Sequence, residues 1–194
     1  MSIQSNTITF SLPDWIEEYI KDIEYIKDRT QRMGFVIEAS RHNVVHKTGG
    51  PFAAAIFEKE SGKLISLGVN LVASQNLSIL HAEMVAITLA QKRLGTYDLG
   101  SLNPDEYELV TSTEPCAMCL GAIPWSGLSL VVSAATDSDA RAIGFDEGVK
   151  VDDWKKALLC SGIDVIDELQ RKGAVSVLEL YIEKNGKIYN SDGS

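Results

Sequence analysis

The stretch Tyr107-Glu108-Leu109-Val110-Thr111-Ser112-Thr113-Glu114-Pro115-Cys116-Ala117-Met118-Cys119 decides how this chain folds. Residues 107–111 read as a short buried strand. Residues 116–123 read as a helix, with Pro115 at or just before the first turn, where its missing N–H costs least. A strand running straight into a helix is the repeating step of an α/β layer. Cys116 and Cys119 lie three apart and share one face of that helix, so both can reach one metal ion. The positive end of the helix dipole eases the cost of carrying thiolates there.

Upstream, His81-Ala82-Glu83 opens a second helix over residues 81–94, with Gly95 as its C-cap. His81, Cys116 and Cys119 are three ligands of kinds that suit zinc, which leaves a fourth position open to water. A structural zinc site would close the tetrahedron with four protein ligands. The remaining candidates, Cys160, His42 and His46, fall in no second paired-ligand motif. Glu83 is not a ligand in this reading and is placed to move protons, from water to a ring nitrogen. His-x-Glu followed by Pro-Cys-x-x-Cys is the pattern of zinc-dependent base deaminases. It points to hydrolytic deamination of an amino-substituted heterocycle, with one Zn2+ per subunit.

Further out, residues 14–26 carry Trp15, Ile16, Tyr19, Ile20, Ile23 and Ile26 at helical spacing. A second helix is expected over residues 30–45. Gly49-Gly50-Pro51 breaks the chain, residues 52–57 read as a buried strand, and residues 64–69 pair back on it as a hairpin. After a strand over residues 128–134 comes a loop containing Ile143-Gly144-Phe145-Asp146-Glu147-Gly148. A helix over 154–159, a short strand at 165–166, a helix over 168–184 and a frayed tail over 188–194 complete the chain. Three parts are expected: a helical extension (1–29), a catalytic core (30–160) and a C-terminal helix and tail (161–194) able to act as a lid.

The 194 residues suffice for one domain with additions. The net charge of −9 argues against nucleic acid as a partner, and the basic residues between 27 and 47 read as a solvated helix face. No apolar run approaches a membrane span, and the N-terminus has no signal-peptide pattern. With two of three cysteines on metal and Cys160 expected as a buried or partly buried free thiol, the chain is read as cytoplasmic.

These motifs resemble the cytidine deaminase-like superfamily over about residues 30–150. Within it, Gly50-Pro51-Phe52-Ala53-Ala54, Gly68-Val69-Asn70, Trp125-Ser126-Gly127 and Ile143-Gly144-Phe145-Asp146-Glu147 look most like bacterial guanine deaminases. The resemblance implies a three-layer α/β/α sandwich on a mixed five-stranded sheet. It also implies a free nucleobase as substrate, guanine or an aminotriazine such as ammeline. Asn70 is expected to read the base edge, since an amide both donates and accepts. Phe52 and Trp125 are expected to sandwich the ring. Glu147 is expected to bind the amidine or pass a proton to the leaving amine, with Asp146 as the alternative, and Tyr189 to cap the site. A homodimer is the default, with exchange of the C-terminal segment between subunits as a variant. Competing functions are a tRNA adenosine deaminase, a cytosine, cytidine or deoxycytidylate deaminase, and an inactive zinc-binding interaction module.

Overall fold

The computed structural model describes residues 5–103 and 106–190. Its sheet has five strands in the order β2-β1-β3-β4-β5: Ala53–Glu58 (β1), Leu64–Val69 (β2), Tyr107–Thr113 (β3), Leu130–Ala135 (β4) and Asp164–Ile166 (β5). β1 is antiparallel to both β2 and β3, whereas β4 runs parallel to β3 and β5 parallel to β4. β3 and β4 are buried at every position, as strands covered on both faces must be.

One face packs against the helices Arg29–Val45 (α2) and Arg171–Glu183 (α8), through Met33, Val36, Val177 and Leu178. The helices Ala82–Leu94 (α4) and Trp154–Cys160 (α7) cover the other, through Ala82, Ala86, Trp154 and Leu158. Helices on both faces of a mixed sheet make the three-layer α/β/α sandwich that the resemblance implied. Gly68 sets how closely α4 approaches: a Cβ there would lie 2.4 Å from Ala82 O and 2.5 Å from Ala86 N. Gly95 closes α4 in the left-handed region, φ 71°.

Several local expectations need correction. The first helix stops at Ile20 (α1, Trp15–Ile20) rather than running to residue 26. Residues 24–26 instead lie extended beside the β1–β2 hairpin, where Leu64 N donates to Glu24 O and Ile26 N to Gly62 O. After a one-turn helix at Val72–Gln75 (α3) and the cysteine helix Ala117–Ala122 (α5), the loop before Glu147 contains a further helix, Asp137–Ala142 (α6). It begins with a capping box between Thr136 and Asp139, a pairing that satisfies two otherwise orphaned amides. α8 starts at Arg171 instead of 168, because Glu168 and Gln170 turn the chain with φ 55° and 58°. Cys160 is exposed rather than buried.

The basic segment 27–47 is not simply a solvated face. Arg32 is 1% exposed, and its Nη1 donates to Glu108 Oε1 at 2.6 Å. Arg32 Nε and Nη2 donate to the carbonyls of Ile26 and Lys27. The pair thus ties α2 and the segment before it to β3. Of the frayed tail expected over 188–194, residues 188–190 are held in place through Asn190, and 191–194 lie outside the described residues. Among the described residues, no helix is long and apolar enough to cross a membrane.

Candidate active site

Helix starts build the metal cluster. His81 is the N-cap of α4 and Cys116 the N-cap of α5, both with extended backbone, and Cys119 follows one turn into α5. Their ligand atoms lie within 4.8 Å of one another. Cys116 Sγ is 3.4 Å from His81 Nδ1 and 3.6 Å from Cys119 Sγ, and Cys119 Sγ is 3.8 Å from His81 Nδ1. Tetrahedral zinc with ordinary bond lengths requires edges of about 3.6 Å between nitrogen and sulfur and about 3.8 Å between sulfurs. The three residues therefore fit zinc through Nδ1 of His81 and both thiolates. Cys116 is poised as thiolate, lowered to about 4 by its hydrogen bond with Cys119 and by His81. His81 is raised: burial opposes its charge, but the hydrogen bond and negative charge of Cys116 outweigh it.

Two carboxylates join the cluster. Glu83, in the first turn of α4, is 6% exposed. Burial, then the charge on Cys116, pushes its carboxyl up to about 7. Glu147 is also 6% exposed, and burial, then the charges on Cys116 and Glu83, pushes it up to about 8. Both line one cavity of about 560 Å³ together with His81 and Cys116.

The loop carrying Glu147 is fastened on several sides. Its carbonyl accepts from Ala117 N at 2.9 Å, locking the loop to the start of α5. Gly148 follows with φ 74°, and a Cβ there would lie 3.0 Å from the Ala117 Cβ. Lys150, whose side chain is 9% exposed, bridges Glu114 Oε1 at 2.5 Å and Asp137 Oδ1 at 3.3 Å. Asp146 also lines the cavity, but at its exposed rim, where it accepts from Arg141 and from Gly148 N. Of the two acidic residues, Glu147 is the one turned inward.

Asn70 is fully buried against the cavity, held by Val72 N on Oδ1 and by Asn43 Nδ2 on its main-chain oxygen. Phe52 lines the cavity and meets Phe145 edge to face at 4.9 Å. Tyr189 folds in from the C-terminal tail, 5.0 Å from Phe145 and 6.3 Å from His81 between ring centroids. Asn190 holds the tail there, accepting from Asp146 N and donating to Gly144 O, each at 2.9 Å.

Trp125 is a correction. It sits on the 3-10 turn Ile123–Ser126 with 84% of its surface exposed and does not line the cavity, so within one chain it cannot sandwich a ring with Phe52. Phe145 is the aromatic that faces Phe52 there. Sequence reading also passed over Asn43, Lys150 and Thr113. Asn43 and Lys150 act on site residues far from them in sequence. Thr113 was readable as the end of the strand that leads into the cysteines.

The model of the "Cytidine and deoxycytidylate deaminase zinc-binding region" matches residues 26–135. The chain belongs to this deaminase family. Guanine deaminase of Bacillus subtilis (strain 168) is 46% identical over 99 residues, 51% of this chain and 59% of that protein. A tRNA-specific adenosine deaminase of Rickettsia bellii is 34% identical over 93 residues, 48% of this chain and 61% of that protein. The chain thus spans about three fifths of the length of these curated relatives. Among solved structures, guanine deaminase from Nitrosomonas europaea superposes with TM-score 0.86 at 40% identity, over 93% of this chain and 98% of that one. NE0047 in complex with 2,6-diaminopurine gives 0.87 at 43%, over 95% and 97%. The matched residues include His81, Cys116 and Cys119.

Proposed function

We propose that this deaminase converts guanine to xanthine with release of ammonia. The observation that carries the reading is the pair of buried carboxyls, Glu83 and Glu147, lining one cavity with His81 and Cys116 of the metal cluster. The guanine deaminases of B. subtilis and N. europaea, at 46% and 40% identity, support the choice of base.

His81, Cys116 and Cys119 would hold the zinc, which when bound supplies the Lewis acidity that makes water nucleophilic at neutral pH. Glu83 takes a proton from the attacking water and delivers it to a ring nitrogen; with its carboxyl raised to about 7, it can exist in either form near neutrality. Glu147 faces the exocyclic amine. Held raised first by burial, its carboxyl donates to the departing nitrogen, which leaves as ammonia rather than as amide ion, and takes back the proton of the hydroxyl that becomes the new carbonyl. Asn70 reads the base edge with its amide, Phe52 and Phe145 bound the ring, and Tyr189 excludes water from above.

A tRNA substrate is the second reading, because a tRNA-specific relative is 34% identical. Against it stand the net charge of −9 and the tail folded over the cavity mouth. A homodimer remains our reading of assembly. Met118 and Trp125 on and just after α5, with Val149 and Val151 of the Glu147 loop, leave apolar surface exposed at 36, 84, 98 and 60%. The thiolate ligands suit a reducing, cytoplasmic compartment.

Ammonia release by the zinc-loaded protein on guanine, ammeline, cytosine, cytidine, deoxycytidylate, adenine and adenosine tests the reading. Turnover of guanine supports it; turnover confined to a pyrimidine or nucleoside overturns it. Glu83→Gln is expected to keep its zinc and to lose activity by at least about 10²-fold.

A further inference from the structure

Among the described residues, three buried side-chain atoms have no hydrogen-bond partner: Asn70 Nδ2, Thr113 Oγ1 and Asp137 Oδ1. Asp137 Oδ1 still lies 3.3 Å from the Lys150 ammonium, so its charge is met. The other two residues line the same cavity. Burying a hydroxyl without a partner costs stability that a similarly shaped valine would not incur. The neighbouring hydroxyls in β3 are satisfied within the fold. Thr111 Oγ1 donates to Thr113 O, and Ser112 Oγ accepts from Ala53 N. Thr113, 4% exposed, is the one left open.

The sheet register explains where that hydroxyl lies. Ala53 pairs with Val69, and Ala54 with Thr111. Continuing both antiparallel registers sets Phe52 opposite Asn70 on one side and Thr113 on the other, and Phe52 O accepts from Asn70 N at 3.0 Å. Ala54 and Ile56 of β1, and Tyr107 and Leu109 of β3, face α4. Strand alternation carries Phe52 and Thr113 to that same face. Asn70, Phe52 and Thr113 thus form one cross-strand row at the end of the sheet. With strands about 4.8 Å apart, a flat heterocycle over Phe52 has a polar partner at either side.

We infer that Thr113 Oγ1 hydrogen-bonds the bound heterocycle, opposite Asn70, and is a specificity-determining residue of this site. The inference rests on the nucleobase reading above. A hydroxyl can donate or accept, so it satisfies a ring nitrogen or a carbonyl edge. A base with an apolar edge there would leave it unpaired and be rejected.

The test compares zinc-loaded wild type with Thr113→Val and Thr113→Ser. The readouts are xanthine affinity by calorimetry, KM and kcat on guanine, and Tm. Thr113→Val is expected to weaken xanthine binding and raise KM by about 2- to 12-fold, the loss of one neutral hydrogen bond. Its kcat should stay within about twofold and its Tm should hold or rise, while Thr113→Ser binds as wild type does. Unchanged affinity and KM in Thr113→Val would overturn the inference. So would a fall in kcat alone, which would place the hydroxyl on the water instead of the base. If the valine variant does not fold, Thr113→Ala carries the same comparison. If wild type ignores guanine, the guanine reading falls by itself, and Thr113→Val is compared on the base that is turned over. Wild type turning over none of them overturns both.

Discussion

Glu147 and Asp146 are chain neighbours with opposite environments. Asp146 is exposed and bonded to Arg141, whereas Glu147 is buried, with its carboxyl pushed up to about 8. The ordinary value is 4.5, so above it the unfolded chain releases a proton that the folded chain keeps. Folding then loses stability as pH rises through about 8 and has its full share below 4.5. Thermal melts of zinc-depleted protein between about pH 5 and 8 should show wild type losing more Tm than Glu147→Gln over the same interval. Parallel curves would mean that Glu147 does not keep its proton. Which acid faces inward was not readable from the sequence, because adjacent loop residues have no periodicity to separate them. The hydrogen bonds of Arg141, Ala117 and Gly148 make the choice.

Elements are coupled by ion pairs whose partners lie far apart in the chain. Arg32 on α2 and Glu108 on β3 are 1% and 0% exposed. Removing one partner strands the other charge, so Glu108→Ala is expected to cost about 3–5 kcal/mol in urea denaturation. Replacing both by apolar residues, Arg32→Met with Glu108→Leu, should cost far less. Lys150 joins the Glu147 loop to Glu114, next to the cysteine motif, and to Asp137 on α6. Lys150→Met should keep zinc content, measured by mass spectrometry, yet lower kcat/KM by about 10- to 100-fold as Glu147 loses its position. Most strand and helix identities followed from local periodicity, the short helices α3 and α6 aside, but the ion pairs did not. Arg32 has the same local context as a solvated helix residue, and its partner lies 76 positions away.

At the scale of the molecule, the tail decides how the cavity closes. Tyr189 and Asn190 fold over their own chain's site, held by Gly144 and Asp146. Chains truncated after residue 186 should therefore lose activity, because the cavity mouth opens to water. Mixing such chains with Glu83→Gln chains should restore nothing beyond the sum of the two alone. Restored ammonia release would show that an intact tail serves the neighbouring subunit. Sedimentation tests the proposed homodimer: wild type is expected as a dimer, and charged replacement of the exposed apolar surface, Trp125→Glu, as a monomer.

What the sequence by itself determined were features set by short-range geometry. Ligand spacing, helix starts, strand alternation and the Gly95 cap depend on residues a few positions apart, and local sterics and periodicity suffice for them. The layer order followed from the succession of strands and helices. Tertiary structure alone decided the orientation of Glu147, the exposure of Trp125, the edge-to-face contact of Phe145 with Phe52, and the burial of Arg32. Each depends on contacts between segments brought together by the sheet. The direction of a loop side chain, and the partner of a buried charge, have no signature until that sheet exists.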